Sequence, residues 1–197
     1  MGTDIAGGVE IRPHGRGSPW LLTEVSLDAL PRDYDAFGLL CGVRNYAGFA
    51  PVAPGRGLPA DASPELLGLL DGDSEHDHTW VSWTELAQID WSARAPRVDD
   101  RIHEYKLTSD GPRLVGKAGH HGGAWRAVAG EHADPRGSAY PEGTEWRAGD
   151  RIWRVERLSH GDVLRADPQL RALLDTMRDL AEQHGDDNVR LLMWFDS

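Results

Sequence analysis

Val189-Arg-Leu-Leu-Met-Trp-Phe195 decides the fold. Six of its seven residues are apolar, with β-branched and aromatic types prominent, and no two-residue alternation of polar and apolar. A run of that length that is apolar on both sides is a strand covered on both faces, in the middle of a sheet. Working backwards, Gly185 marks the end of a helix whose apolar stripe is Leu170, Leu173, Leu174, Met177, Leu180 and Ala181, and Asp167 followed by Pro168 is its start signal. The C-terminal part of the chain is therefore a helix laid against a central strand.

The same reading extends toward the N-terminus. Val9–Arg12 and Trp20–Val25 are short strands around a Gly/Pro turn. Tyr34, Phe37, Leu40 and Cys41 recur at helical spacing, with Asp33 as cap and Gly42 as terminator. Residues 42–64 hold four prolines and four glycines, too many breakers for a periodic element; Phe49, Val52 and Leu58 are available to pin the segment to the core, so an ordered functional loop is expected. Pro64–Leu70 is a short helix, Thr79–Ser82 a strand, and Ser82 with Glu85 a capping box for a further short helix. Residues 92–143 are rich in Gly, Pro, Arg and Asp and are expected to form an irregular insertion; His103–Leu107 is their one strand candidate. Arg151–Leu158 is a strand. The expected fold is α+β in one domain, 1–197: a mixed β-sheet with three or four helices packed against it and the C-terminal strand central.

The chain of 197 residues carries a formal net charge of −11 and a pI of about 5.2, which argues against general nucleic-acid or membrane-surface binding. No apolar run reaches the ~20 residues a bilayer span requires. The N-terminus has no basic region followed by an apolar one, so no signal peptide is expected and the location expected is cytoplasmic. A single cysteine, Cys41, excludes an intrachain disulfide and lies in an apolar helical pattern.

The stretch Asp71-Gly-Asp-Ser-Glu-His-Asp-His-Thr-Trp-Val-Ser-Trp83 crowds ionisable groups beside a core segment and marks where a site is expected. On an extended chain His76 and His78 would share one face and could hold Zn²⁺ or another divalent metal with Asp73, Asp77, His120 or His121 as further ligands. The competing reading is a solvated loop. Arg44 and Asn45, just past the helix-ending Gly42, aim a guanidinium and an amide at an anion or a base edge, unless they only bridge to carboxylates. Arg56, between Gly55 and Gly57, stands where backbone can approach a ligand closely, or in a plain turn. Trp80, Trp83 and Trp91 could stack a nucleobase or sugar, or simply pack. There is no G-x-S-x-G, H-E-x-x-H or P-loop motif. Ser159, His160 and Asp162 are close in sequence, which argues little about a triad.

Taken in order, Gly42-Val-Arg-Asn45, Arg56-Gly-Leu-Pro59, His76-Asp-His-Thr-Trp80 and Val189-Arg-Leu-Leu-Met-Trp-Phe-Asp196 resemble a group of uncharacterised proteins of bacteriophages and bacteria, especially actinobacteria. The resemblance covers about residues 8–91 and 150–197. It implies a loose link to phage–host conflict or small-molecule sequestration, and three polar motifs that travel together as one pocket. The leading expectation is thus a protein that binds an anionic small molecule, nucleotide-derived ligands among them, through Arg44, Asn45, Arg56, His76, His78 and Trp80, with no cofactor. The alternatives are a metal-dependent hydrolase using His76, His78 and Asp73, and a protein-interaction module without a small ligand.

Overall fold

A computed structural model describes residues 2–27, 30–70, 72, 74–119 and 121–196. Two four-stranded sheets organise the chain. The first contains β1 (Asp4–Ile11), β2 (Leu21–Ser26), β3 (His76–Ser82) and the last strand, Val189–Asp196, in the order β2-β1-last-β3. The C-terminal strand is central, as its composition demands, and Val189 through Phe195 are all buried. Val189, Leu191, Met193 and Phe195 enter the main core; Leu192 and Trp194 enter a smaller cluster with Leu66 on the opposite face.

The main core is closed by α1 (Tyr34–Cys41) and by a long helix, Pro168–His184, whose Leu170, Leu173, Met177 and Ala181 are buried. Asp33 caps α1 by accepting from the Asp35 and Ala36 amides, and Gly42 ends it at φ +83°. Pro64–Leu67 forms α2, and Trp83–Leu86 forms α3 behind the Ser82/Glu85 capping box. Asp167 accepts from the Gln169 and Leu170 amides to start the long helix. These local signals were all legible in the sequence.

Residues 92–143 are not an irregular insertion. They supply β4 (Ile102–Thr108), β5 (Gly111–Ala118) and α4 (Gly123–Ala129), and β4 pairs with β7 (Arg151–Arg154), beside β6 (Glu145–Ala148). The order is β5-β4-β7-β6, and Ile102, Trp125 and Trp153 form a small core of their own. The strand expected over 151–158 stops at Arg154. Every pairing in both sheets is antiparallel, where a mixed sheet was expected. A short helix α5 (His160–Ala166) precedes the long helix, α6, and the last strand is β8. Ser159 and Asp162 cap α5, which accounts for that pair. Among the described residues no helix is long and apolar enough to cross a membrane.

Candidate functional site

The C-terminal end of α1 opens into a concavity of about 630 Å³, lined by residues 41–45, by Pro51, Pro54 and Gly55, and by His76 and Asp77 at the start of β3. Past Gly42 the chain turns sharply, and Arg44 adopts φ +49°. Asn45 holds the turn closed: its Nδ2 donates to the Phe49 carbonyl at 2.8 Å and its Oδ1 accepts from the Phe49 amide at 2.9 Å. Its amide is therefore spent on the loop, although the residue lines the concavity. Arg44 is exposed; its Nε donates to Thr3 Oγ1 at 2.9 Å, and no carboxylate pairs with it among the described residues.

On the facing element Asp77 also adopts a left-handed backbone, at φ +52°, and its carboxylate meets His76 Nδ1 at 2.9 Å. Asp77 sits in a β-bulge: His76 pairs with Phe195, but Thr79 pairs with Met193, so three steps along β3 match two along β8. The extra residue inverts the side-chain alternation. The His76 ring packs at 6.3 Å from Phe195 on the helix-covered face, and the His78 ring stacks at 6.4 Å from Trp194 on the other. The expectation that both rings share a face is thus overturned by one inserted residue. Among the described residues no group of three or more His, Cys, Asp or Glu side chains is placed to hold a metal ion. Asp73 and His120 lie outside the described residues.

Arg56 does not join the concavity. Its guanidinium forks onto Glu85, at 3.0 and 2.7 Å, and also reaches the Val52 and Trp80 carbonyls. These bonds hold the Glu85 carboxyl down at about 2. Trp80 lies on the opposite sheet face, in a groove with Arg12, Arg16, Trp20, Asp61 and Arg190. Arg12 and Arg190 approach the Trp20 ring at 4.2 and 3.9 Å, and Asp61 accepts from both guanidiniums and the Trp20 indole. So Arg44, Asn45 and His76 converge, whereas Arg56, His78 and Trp80 are engaged elsewhere.

A second concentration of charge escaped the sequence reading. His103, buried in β4, bridges Asp99 at 2.9 Å and Glu156 at 3.2 Å. Burial would raise the Asp99 pKa, but bonds from His103 and Arg101 overcome it and hold the carboxyl well below its usual range. Burial opposes protonation of His103, yet its two carboxylate partners outweigh it and its pKa is raised. Arg101 also pairs with Asp35 in the first turn of α1, and Lys117 of β5 donates to the same carboxylate at 2.6 Å. This network joins the second sheet to the helix that presents Arg44. No spacing signal announces it, because the partners lie up to 82 residues apart.

Compared with models of protein families, with curated proteins and with solved structures, the chain matches none.

Proposed function

We propose that the chain is a small-molecule binding protein whose concavity at Arg44 and His76 takes an anionic ligand of nucleotide size. One observation carries this reading: Arg44 and Asp77, the two described non-glycine residues with positive φ, both line the same concavity. That backbone costs an L residue roughly 1–2 kcal/mol, and such strain gathers where a ligand is held. Arginine gains nothing locally from the left-handed region, so its placement there buys presentation of a guanidinium.

The chemistry is consistent with the geometry. A net charge of −11 repels anions from the protein as a whole, so the Arg44 guanidinium, with no carboxylate partner among the described residues, is a local point of anion affinity. The His76–Asp77 pair supplies polar atoms for hydroxyl or amino groups of the same ligand. A cavity of about 630 Å³ falls within the ~300–1,000 Å³ common for ligand sites. Cys41, although it lines the cavity, is no thiolate nucleophile: its Sγ donates to the Phe37 carbonyl and burial pushes its pKa up to about 12. The resemblance to phage and actinobacterial proteins would set such binding in phage–host conflict, as sequestration.

The test is thermal unfolding with AMP, inorganic phosphate and adenosine. AMP is expected to raise the Tm with concentration and adenosine to leave it unchanged, and Arg44→Ala is expected to abolish the rise. Equal responses to AMP and adenosine, or no response to either phosphate-bearing probe, would overturn the reading.

A further inference from the structure

On the far side of the main core, α3 and the turn after it face the α5–α6 corner across a slot of about 290 Å³. Trp83, Leu86, Trp91, Leu164 and Leu174 form its apolar walls, and Arg171 and Arg178 stand at its rim with Asp175. The walls are fixed by short-range structure. Trp83 follows the Ser82 cap directly, and the Asp167 cap with Pro168 sets the angle between α5 and α6. Arg171, Leu174 and Arg178 are spaced i, i+3, i+7 and so share one side of α6.

Two features set this slot apart from an ordinary gap in packing. First, the Trp83 and Trp91 indole N–H groups donate to no acceptor among the described residues and are not buried, so two aromatic walls keep solvent-facing polar handles. Second, the Arg171 side chain makes one hydrogen bond among the described residues, from Nη2 to the Leu164 carbonyl at 2.9 Å, and has no carboxylate partner among them. Arg178, in contrast, is neutralised by Asp175 at 2.8 Å and Asp179 at 3.3 Å. The slot therefore offers an apolar, aromatic interior and a single uncommitted positive charge at its edge.

We propose that this slot is a second ligand site, for a small planar aromatic monocarboxylate. The ring system enters between Trp83, Trp91, Leu164 and Leu174, where offset or edge-on aromatic contacts add to the burial of apolar surface. The carboxylate accepts from the Arg171 guanidinium, and an indole N–H can donate a further bond. The volume, at the low end for ligand pockets, limits the ligand to about two fused rings.

The experiment titrates the full chain with 2-naphthoate and with its neutral analogue 2-naphthamide, reading tryptophan fluorescence and the Tm. Saturable binding of one naphthoate is expected, with naphthamide at least tenfold weaker. Arg171→Ala is expected to weaken naphthoate tenfold or more with an unchanged circular dichroism spectrum. Arg113→Ala, which removes an equal charge from β5, is expected to leave it within twofold. Equal affinity for the two probes, no saturable change, or an Arg171→Ala variant that binds like the parent would overturn the proposal. The last result would also locate any naphthoate binding elsewhere on the protein.

Discussion

Glu10 and Arg190 stand directly opposite one another on β1 and β8, and both are buried, at 0% and 3% exposure. Arg190 Nε donates to Glu10 Oε2 at 2.8 Å, and its outer nitrogens reach Asp61. The one buried charged residue of the central strand is thereby satisfied. Removing Glu10 leaves the buried Arg190 guanidinium with Asp61 alone and takes the acceptor from the Ser63 amide. Glu10→Ala is expected to cost about 3–5 kcal/mol in urea unfolding, and the double variant Glu10→Leu/Arg190→Met distinctly less than the sum of the two single changes.

The Asp99–His103–Glu156 cluster sets opposite slopes on the two sides of a stability maximum. Asp99 and Glu156 have lowered pKa values when folded. Their contribution is present above the unfolded carboxylate range, about pH 4, and is lost as the pH falls through their folded values. The raised pKa of His103 works the other way. Its contribution is complete below about pH 6.5 and is lost as the pH rises through the folded value. Unfolding free energy should therefore peak between about pH 4 and 6.5. His103→Gln should flatten the decline above that window, and a variant with an unchanged alkaline limb would contradict the assignment.

Arg56 is a structural clamp in this account. Arg56→Ala is expected to lower stability by about 1–2 kcal/mol through loss of the Glu85 fork, while the Tm rise with AMP persists in full. A loss of the AMP response in a folded Arg56→Ala protein would return Arg56 to the site.

Burial of the Cys41 thiol, whose pKa is pushed up to about 12, predicts slow alkylation. Iodoacetamide at pH 8 is expected to modify Cys41 only at the rate of unfolding, which urea should accelerate.

What was legible in the sequence divides along a physical line. The central strand, α6 and the Ser82/Glu85 and Asp167 caps depend on residues within a few positions of one another, and they form as read. The second sheet depends on partners far apart. β4 pairs with β7 through His103 opposite Arg154 and Glu104 opposite Trp153, so its strands carry charges where hydrophobic alternation was sought. The site divides likewise. Arg44 follows from the helix-ending Gly42 beside it, but the role of Arg56 is set by Glu85, 29 residues away. The separation of His76 from His78 is set by the register of β8, which no local pattern on β3 encodes.

The central claim is that Arg44 accepts an unfavourable backbone in order to present its guanidinium to a ligand. Asparagine tolerates the left-handed region better than arginine and carries no charge. Arg44→Asn separates the two roles when its unfolding free energy and its AMP affinity are measured side by side. The account predicts a stability unchanged or higher by up to about 1 kcal/mol, together with AMP binding weakened tenfold or more. An Arg44→Asn protein that binds AMP as the parent does, or that loses stability by several kcal/mol, would contradict it.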